Sequence, residues 1–393
     1  MKLKDSVYNH EEIIKRLLSK IENSEIDGKS KQNLFDFYSD CVVHSLSKAR
    51  TAKCLDTLLR IAIWLGKPFD DATKEDVVRL VLKIETGEYS PWTKHDYKAI
   101  LRVFFRWLRK TEEYPPEVKW IKNTVRHSHK LPEEILTPEE VVRLVETANN
   151  LRDKALVLTL YDSGCRIGEI LTLQMKHAQF DSYGAVLIVD GKTGQRRVRL
   201  IMSAPKLGQW VENHPMRNDP EAPLWVTIGT RNRNAPLRYF QALHHLKKLA
   251  KQAGIAKRVY PHLFRHSRAT HLANVLTEAQ MKQHFGWVQA SDMASTYVHL
   301  SGRDVDRALL KMNGIEVPEE GNAGGLQAKR CPRCKGGNSP EAKFCSHCGM
   351  CLDSKVAMEI DDARLKADNL MAELVKRPEI LEQMLHAVEA INE

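Results

Sequence analysis

The chain reads as mainly α with a small β-sheet, an α+β protein built from more than one domain. Three observations lead there. Apolar residues at helical spacing, opened by capping residues, fill the first hundred positions and return to the C-terminal end. One alternating hairpin pattern stands mid-chain, and five of the eight cysteines fall between Cys331 and Cys351. A length of 393 residues supports two or three domains with proper cores.

The first region, residues 1–115, is expected to be helical throughout. Thr73-Lys-Glu-Asp76 has the form of a capping box ahead of Val77–Ile84. Pro91-Trp92 precedes the strongest helical pattern, Thr93 to Lys110, in which Tyr97, Ile100, Leu101, Phe104, Phe105 and Leu108 share one side. Lys94, Lys98, Arg102, Arg106 and Lys110 recur every fourth residue along it. Cations at that spacing repel one another, and a phosphate backbone lying along them would relieve the repulsion. A solvated face is the alternative for such a stripe.

Residues 116–135, rich in proline and histidine, read as a linker. Thr137-Pro-Glu-Glu140 then opens a new domain, expected over 136–315, with Thr as N-cap, Pro at the first helical position and Glu at the third. Ala185–Val189 and Arg196–Met202 flank Asp190-Gly-Lys-Thr-Gly194 as a hairpin. Helices are expected again around Tyr239–Ala253 and Arg265–Leu276. A second linker, 316–328, contains Asn322-Ala-Gly-Gly325. A cysteine module follows at 329–352, then amphipathic acidic helices over 353–393, split at Pro378.

Charge is uneven. The formal net charge is +10, yet Asp353 to Glu393 holds five more acidic than basic residues, so the rest of the chain carries +15. A basic body of that size fits a polyanionic partner, with nucleic acid foremost. Mean hydropathy is −0.41 and no apolar run reaches 18 residues, which argues against a membrane span. The charged N-terminus lacks the apolar core of a secretory signal, so a cytoplasmic location is expected.

Six residues carry chemistry suited to a phosphodiester: Arg166, Lys192, His262, Arg265, Trp287 and Tyr297. Two guanidiniums can clamp non-bridging phosphate oxygens bidentately. An indole N–H donates to oxygen but cannot carry a proton. A tyrosine hydroxyl can attack phosphorus, with His262 as candidate general base and Lys192 as candidate general acid for the leaving 5′ oxygen. Glu169, three residues after Arg166, is placed to orient a neighbouring member of the set. Taken singly, each has a structural alternative. Arg196 and Arg197 compete with Lys192 for its role, and Tyr183, Tyr239 and Tyr260 with Tyr297.

Tyr161-Asp-Ser-Gly-Cys-Arg-Ile-Gly-Glu-Ile-Leu171 and Pro261-His-Leu-Phe-Arg-His-Ser-Arg-Ala-Thr-His-Leu272 resemble the two arginine boxes of tyrosine recombinases, the family of lambda integrase, Cre and Xer proteins. The resemblance continues in order. Lys192 sits where that family keeps a lysine in a hairpin turn, Phe285-Gly-Trp287 is similar to its Leu-Gly-His/Trp box, and Tyr297-Val-His299 to its nucleophile segment. The wording of Ser291 to Gly302 is similar to archaeal integrases. The interval from Trp287 to Tyr297 is one residue longer than in many bacterial members, which leaves the loop between them open. The resemblance implies a helical SAM-like core-binding domain and a mixed α/β catalytic domain closing around duplex DNA. It also implies a tetramer on two specific recombination sites, a 3′-phosphotyrosine intermediate, a four-way junction, and chemistry that needs no cofactor. A type IB topoisomerase shares that chemistry, and a silent DNA-binding regulator shares the fold; both are alternatives.

Cys331-Pro-Arg-Cys334 and Cys345-Ser-His-Cys348-Gly are paired knuckles that match a zinc ribbon, in which four thiolates hold a structural zinc ion. Cys351 and His347 are further candidate ligands. Whether such a ribbon faces nucleic acid or protein is open at this level. Cys41, Cys54 and Cys165 read as buried free thiols.

Overall fold

Helices dominate the computed structural model, which describes residues 7–124, 135–191, 193–230, 232–273, 275–298, 312–313, 328–340 and 342–376. The chain divides into two compact units, Met1–Lys130 and Leu131–Glu393.

In the first unit the helices are α1 (His10–Glu22), α2 (Gly28–Val43), α3 (Lys48–Leu65), α4 (Lys74–Thr86), α5 (Pro91–Leu108) and α6 (Pro116–Lys119). Local chemistry sets their ends. Asp27, Ser47, Thr73 and Ser90 each accept a hydrogen bond from a first-turn N–H, and Thr73 and Asp76 complete the expected capping box. Pro91 occupies the first turn of α5, and Gly66 closes α3 in the left-handed conformation at φ +68°. Phe37, Phe69, Phe104 and Trp107 meet in the core, largely edge to face. That core extends to Val118 and Ile121, so helical packing runs past the expected boundary at 115 because the Pro115-Pro116 turn folds α6 back onto it. Helix α5 also starts two residues earlier and ends two earlier than its apolar pattern implies, with Arg109 as C-cap and Lys110 beyond it at φ +52°.

The second unit is organised around α8 (Leu151–Ser163), buried on nearly every side and packed by α7 (Pro138–Thr147), α10 (Ala204–Glu212) and α12 (Pro261–Ala273). The buried charges of α8 are partnered, Arg152 by Asp153 and the Val226 carbonyl, and Asp162 by Ser203 and Arg268. Gly164 ends it at φ +56°, where a β-carbon would lie 2.4 Å from the Phe285 ring. Helix α9 (Ile167–Leu171) follows at once. An antiparallel sheet of order β1-β2-β3 lies beside it, from Ala178–Asp181, Gly184–Gly191 and Gly194–Leu200. Gly191 of β2 pairs with Gly194 of β3. The two strands therefore reach further toward each other than the expected Val189 and Arg196, and β3 stops at Leu200 because Ile201 and Ser203 instead donate their N–H groups to Asp162. Helix α11 (Tyr239–Gln252), α13 (Glu278–Phe285) and α14 (Met293–Val298) complete the catalytic half. Beyond it, β4 (Lys329–Arg330) pairs with β5 (Gly337–Asn338), and α15 (Ser354–Val375) follows an Asp353 cap. The expected second amphipathic piece after Pro378 lies outside the described residues.

Candidate active site

Five of the six expected catalytic residues converge in the second unit; Lys192 lies outside the described residues. Arg166 caps the N-terminus of α9, donating from its side chain to Glu169 Oε1 at 3.0 Å while its own N–H reaches Glu169 Oε2 at 3.0 Å. Arg265, on α12 and only 5% exposed, donates to the carbonyls of Gly164 at 3.0 Å and Phe285 at 2.7 Å. Those two bonds tie α12 to the end of α8 and the end of α13. They use two of the five guanidinium donors. Burial and the neighbouring Arg166 push the Arg265 pKa down to about 10. Two cations held this close in a dense site form a cradle for negative charge.

His262 stands one turn before Arg265 on α12. Its ring stays open to solvent, yet dense surroundings, Arg265 and Arg166 hold its pKa below the ordinary imidazole value. Trp287 follows Gly286, which ends α13 at φ +62°. Its indole stacks on Phe285 at 4.8 Å and on Tyr297 at 5.7 Å, the latter nearly parallel at 4°. The Arg265 guanidinium lies 5.5 Å from the Trp287 ring centre and 5.1 Å from that of Phe285. Tyr297 is 4% exposed, in a small core with Ala269, Met281, Phe285 and Ala294. Burial raises its phenol to about 12, and Arg265 works against that rise.

Two residues of the site went unassigned in the sequence. The Tyr297 hydroxyl is hydrogen-bonded to Nδ1 of His266 at 2.5 Å, so the imidazole on this phenol is not that of His262. The second is Arg196. It donates to Glu169 at 3.2 Å and 2.8 Å, to the His284 carbonyl at 3.0 Å and to Cys165 at 3.4 Å. Arg196 is thus committed to a buried ion pair, which removes it as a rival to Lys192. Glu169 joins Arg166 to Arg196 and so spans α9 and β3. Its carboxyl stays below the usual range because Arg196 and Arg166 outweigh its burial, the largest single influence.

The comparisons with known proteins bear on this geometry. The phage integrase family model matches residues 134–303, the span that contains all six candidates. Over that span the chain carries a phage integrase domain, the domain of the tyrosine recombinases. Among the proteins it resembles is one named tyrosine recombinase XerA of Pyrococcus horikoshii, 28% identical over 226 residues, covering 56% of this chain and 74% of that one. Tyrosine recombinase XerC of Xanthomonas campestris pv. campestris is 29% identical over 242 residues, covering 58% and 72%. Two solved structures share the fold of this recombinase. A lambda integrase dimer bound to a COC′ core site has a TM-score of 0.54 at 15% identity, covering 68% of this chain and 76% of that one. XerH bound to a palindromic difH substrate has 0.52 at 20%, covering 80% and 98%.

The basic stripe on α5 of this recombinase is only partly free. Lys94 donates to the Glu85 carbonyl at 2.5 Å, and Lys98 to the Glu85 carboxylate at 2.7 Å. Arg102 and Arg106 lie over the Tyr114 ring at 4.0 Å and 5.2 Å. Lys110 is exposed past the helix end. The even spacing in sequence therefore becomes a set of locally engaged cations.

The C-terminal knuckles come together. The sulfurs of Cys331, Cys334, Cys345 and Cys348 all lie within 4.8 Å of one another, close enough to share one metal ion. The two knuckles repeat each other: Lys335 N–H bonds the Cys331 carbonyl and Gly349 N–H the Cys345 carbonyl, with φ +60° and +71° at those positions. Asn338, buried, donates to the Cys345 sulfur at 3.6 Å. Cys351 points elsewhere, donating to the Asp353 carbonyl at 3.3 Å, and His347 is not in the cluster. Among the described residues, no helix is long and apolar enough to cross a membrane.

Proposed function

We propose that this recombinase cleaves and rejoins duplex DNA at specific sites through a 3′-phosphotyrosine at Tyr297, exchanging strands by a four-way junction. The observation that carries the reading is a buried tyrosine, Tyr297, stacked on Trp287 beside the buried Arg265, which in turn feels the charge of Arg166. Arg166 and Arg265 hold the non-bridging oxygens, where charge grows as phosphorus is attacked. Trp287 adds an N–H donor and fixes the phenol by stacking. His262, whose pKa is lowered by its dense surroundings and by both arginines, donates to the same oxygens. Lys192, between Gly191 and Thr193 in the sequence, protonates the leaving 5′ oxygen. The phosphotyrosine conserves the broken bond, so rejoining needs no external energy. The structures of XerH and lambda integrase bound to DNA, and of a lambda integrase tetramer on a Holliday junction, support duplex sites and a tetramer for this chain too.

The cysteine cluster fits a structural zinc ion. Four thiols, two symmetric knuckles and a side-chain amide directed at sulfur match the donor set and supporting bonds of such centres. Zinc there would fold the ribbon and supply nothing to strand cleavage.

A plasmid assay tests the reading. Wild-type chain should give products joined at a defined site, and Tyr297→Phe should bind DNA yet cleave none. Cleavage by Tyr297→Phe would sink the assignment. Relaxation of any supercoiled plasmid, without joined products, would move the chain to topoisomerase chemistry.

A further inference from the structure

We infer that His266, not His262, accepts the proton of Tyr297 when the tyrosine attacks. The inference rests on the reading that Tyr297 is the nucleophile.

Proton transfer requires contact, and the contact is specific. The Tyr297 hydroxyl and His266 Nδ1 are hydrogen-bonded at 2.5 Å, with ring centres 6.0 Å apart, and the phenol is the donor when His266 carries its hydrogen on Nε2. His262 and His266 are one turn apart on α12, their ring centres 6.2 Å apart. They share a face but not a task. Electrostatically His262 is tied to Arg265 and Arg166, whereas His266 is the imidazole on the phenol. Trp287, stacked on the same phenol, has an N–H but no basic atom. The site therefore has an aromatic donor where a second imidazole would otherwise serve, and His266 supplies the missing base.

The base is held firmly. Its neighbour Arg265 is anchored to two carbonyls, and Ser267 on the other side donates to the Leu263 carbonyl and accepts from the Leu136 N–H at 2.8 Å. Thr270 donates to the His266 carbonyl at 3.1 Å. A base fixed within hydrogen-bond reach of its proton is the geometric requirement for general base catalysis.

In the step itself, the Tyr297 O–H bond breaks and its proton passes to His266 Nδ1. The phenolic oxygen forms a bond to phosphorus, the bond from phosphorus to the 5′ oxygen breaks, and that oxygen takes a proton from the general acid. On rejoining, the 5′-hydroxyl returns its proton to the deprotonated general acid as its oxygen bonds to phosphorus, the bond from phosphorus to the phenolic oxygen breaks, and that oxygen recovers the proton from His266. Nδ1 can accept only in the tautomer that carries hydrogen on Nε2.

The test uses the full chain with supercoiled plasmid DNA, reading covalent protein–DNA adduct after a detergent quench. His266→Asn retains an acceptor near the Nδ1 position but cannot take a proton, so adduct formation should fall by about 100-fold or more. Thermal unfolding and duplex affinity should match wild type. His266→Asn at wild-type rate would overturn the proposal, as would loss confined to His262→Asn. If wild type itself forms no adduct, the tyrosine-cleavage reading fails, and the base assignment with it. Nitrogen NMR of the histidines keeps the contact testable even if the variant folds poorly. Tyr297→Phe in the intact chain should move the His266 Nδ1 resonance, and an unmoved resonance would overturn the contact.

Discussion

The indole of Trp287 lies flat on the phenol of Tyr297, 5.7 Å between centres and 4° from parallel. A stacked pair of this kind fixes the plane of the phenol while leaving its oxygen to the hydrogen-bond partner. Trp287 thus contributes shape as well as a donor, and the two can be separated. Trp287→Phe should preserve stacking and thermal stability while slowing cleavage through the lost N–H. Trp287→Ala should in addition destabilise the unit by about 3 kcal/mol, as large-to-small changes at buried aromatics do. Denaturant unfolding beside cleavage rates distinguishes the two; equal rates for wild type and the Phe variant would show the N–H idle.

Glu169 binds Arg166 on one side and Arg196 on the other, and Arg196 is about 10% exposed. Replacing the carboxylate strands a buried cation, which costs on the order of 3–5 kcal/mol. Glu169→Ala should unfold at markedly lower denaturant and lose cleavage, although Glu169 itself touches no DNA in the proposed mechanism. Arg196→Met, which removes the cation as well, should be less damaging to stability than Glu169→Ala.

Acid should weaken the second unit before carboxylates titrate. Burial, helped by Arg268, pushes His271 and His284 down to about 4, well below the ordinary value of 6.5. Above pH 6.5 both states hold these rings neutral and stability is full. Between 6.5 and 4 the unfolded chain takes up protons that the folded chain refuses, so stability falls with falling pH, by up to about 1.4 kcal/mol per pH unit for each ring. Unfolding measured at pH 7 and pH 5 checks the slope. His284→Leu should flatten it, and should also remove a buried Nε2 that has no hydrogen-bond partner.

Metal chemistry at the ribbon gives a separable outcome. A chelator should release about one zinc per chain and melt the ribbon while the second unit's main transition stays in place. Cys348→Ser should lower the metal content, and Cys351→Ser should leave it unchanged, because the Cys351 sulfur bonds the Asp353 carbonyl instead. Metal analysis of both variants decides between the two possible cysteine registers.

Much of this was legible from residues in order. Capping residues announced α4 and α7, and the knuckle spacing announced the sulfur cluster. Strand β1 was not legible, because four residues with three exposed side chains carry no period to read. The local partners of the stripe on α5 were not legible either: spacing predicts which side chains share a face, not that Glu85 and Tyr114 will meet them. His266 was hidden most completely. Two histidines four residues apart on one helix are equivalent until a distant segment, α14, brings the tyrosine to one of them.

Two glycines wall the Glu169–Arg196 pair. A β-carbon on Gly191 would sit 2.6 Å from Glu169 Oε1, and one on Gly286 would sit 2.8 Å from the Arg196 guanidinium. These glycines precede Lys192 and Trp287 in the chain. A side chain at either would press on the ion pair, and at Gly286 it would also have to hold a left-handed backbone at φ +62°. Residues with no chemistry of their own thus set the room in which Glu169 and Arg196 meet.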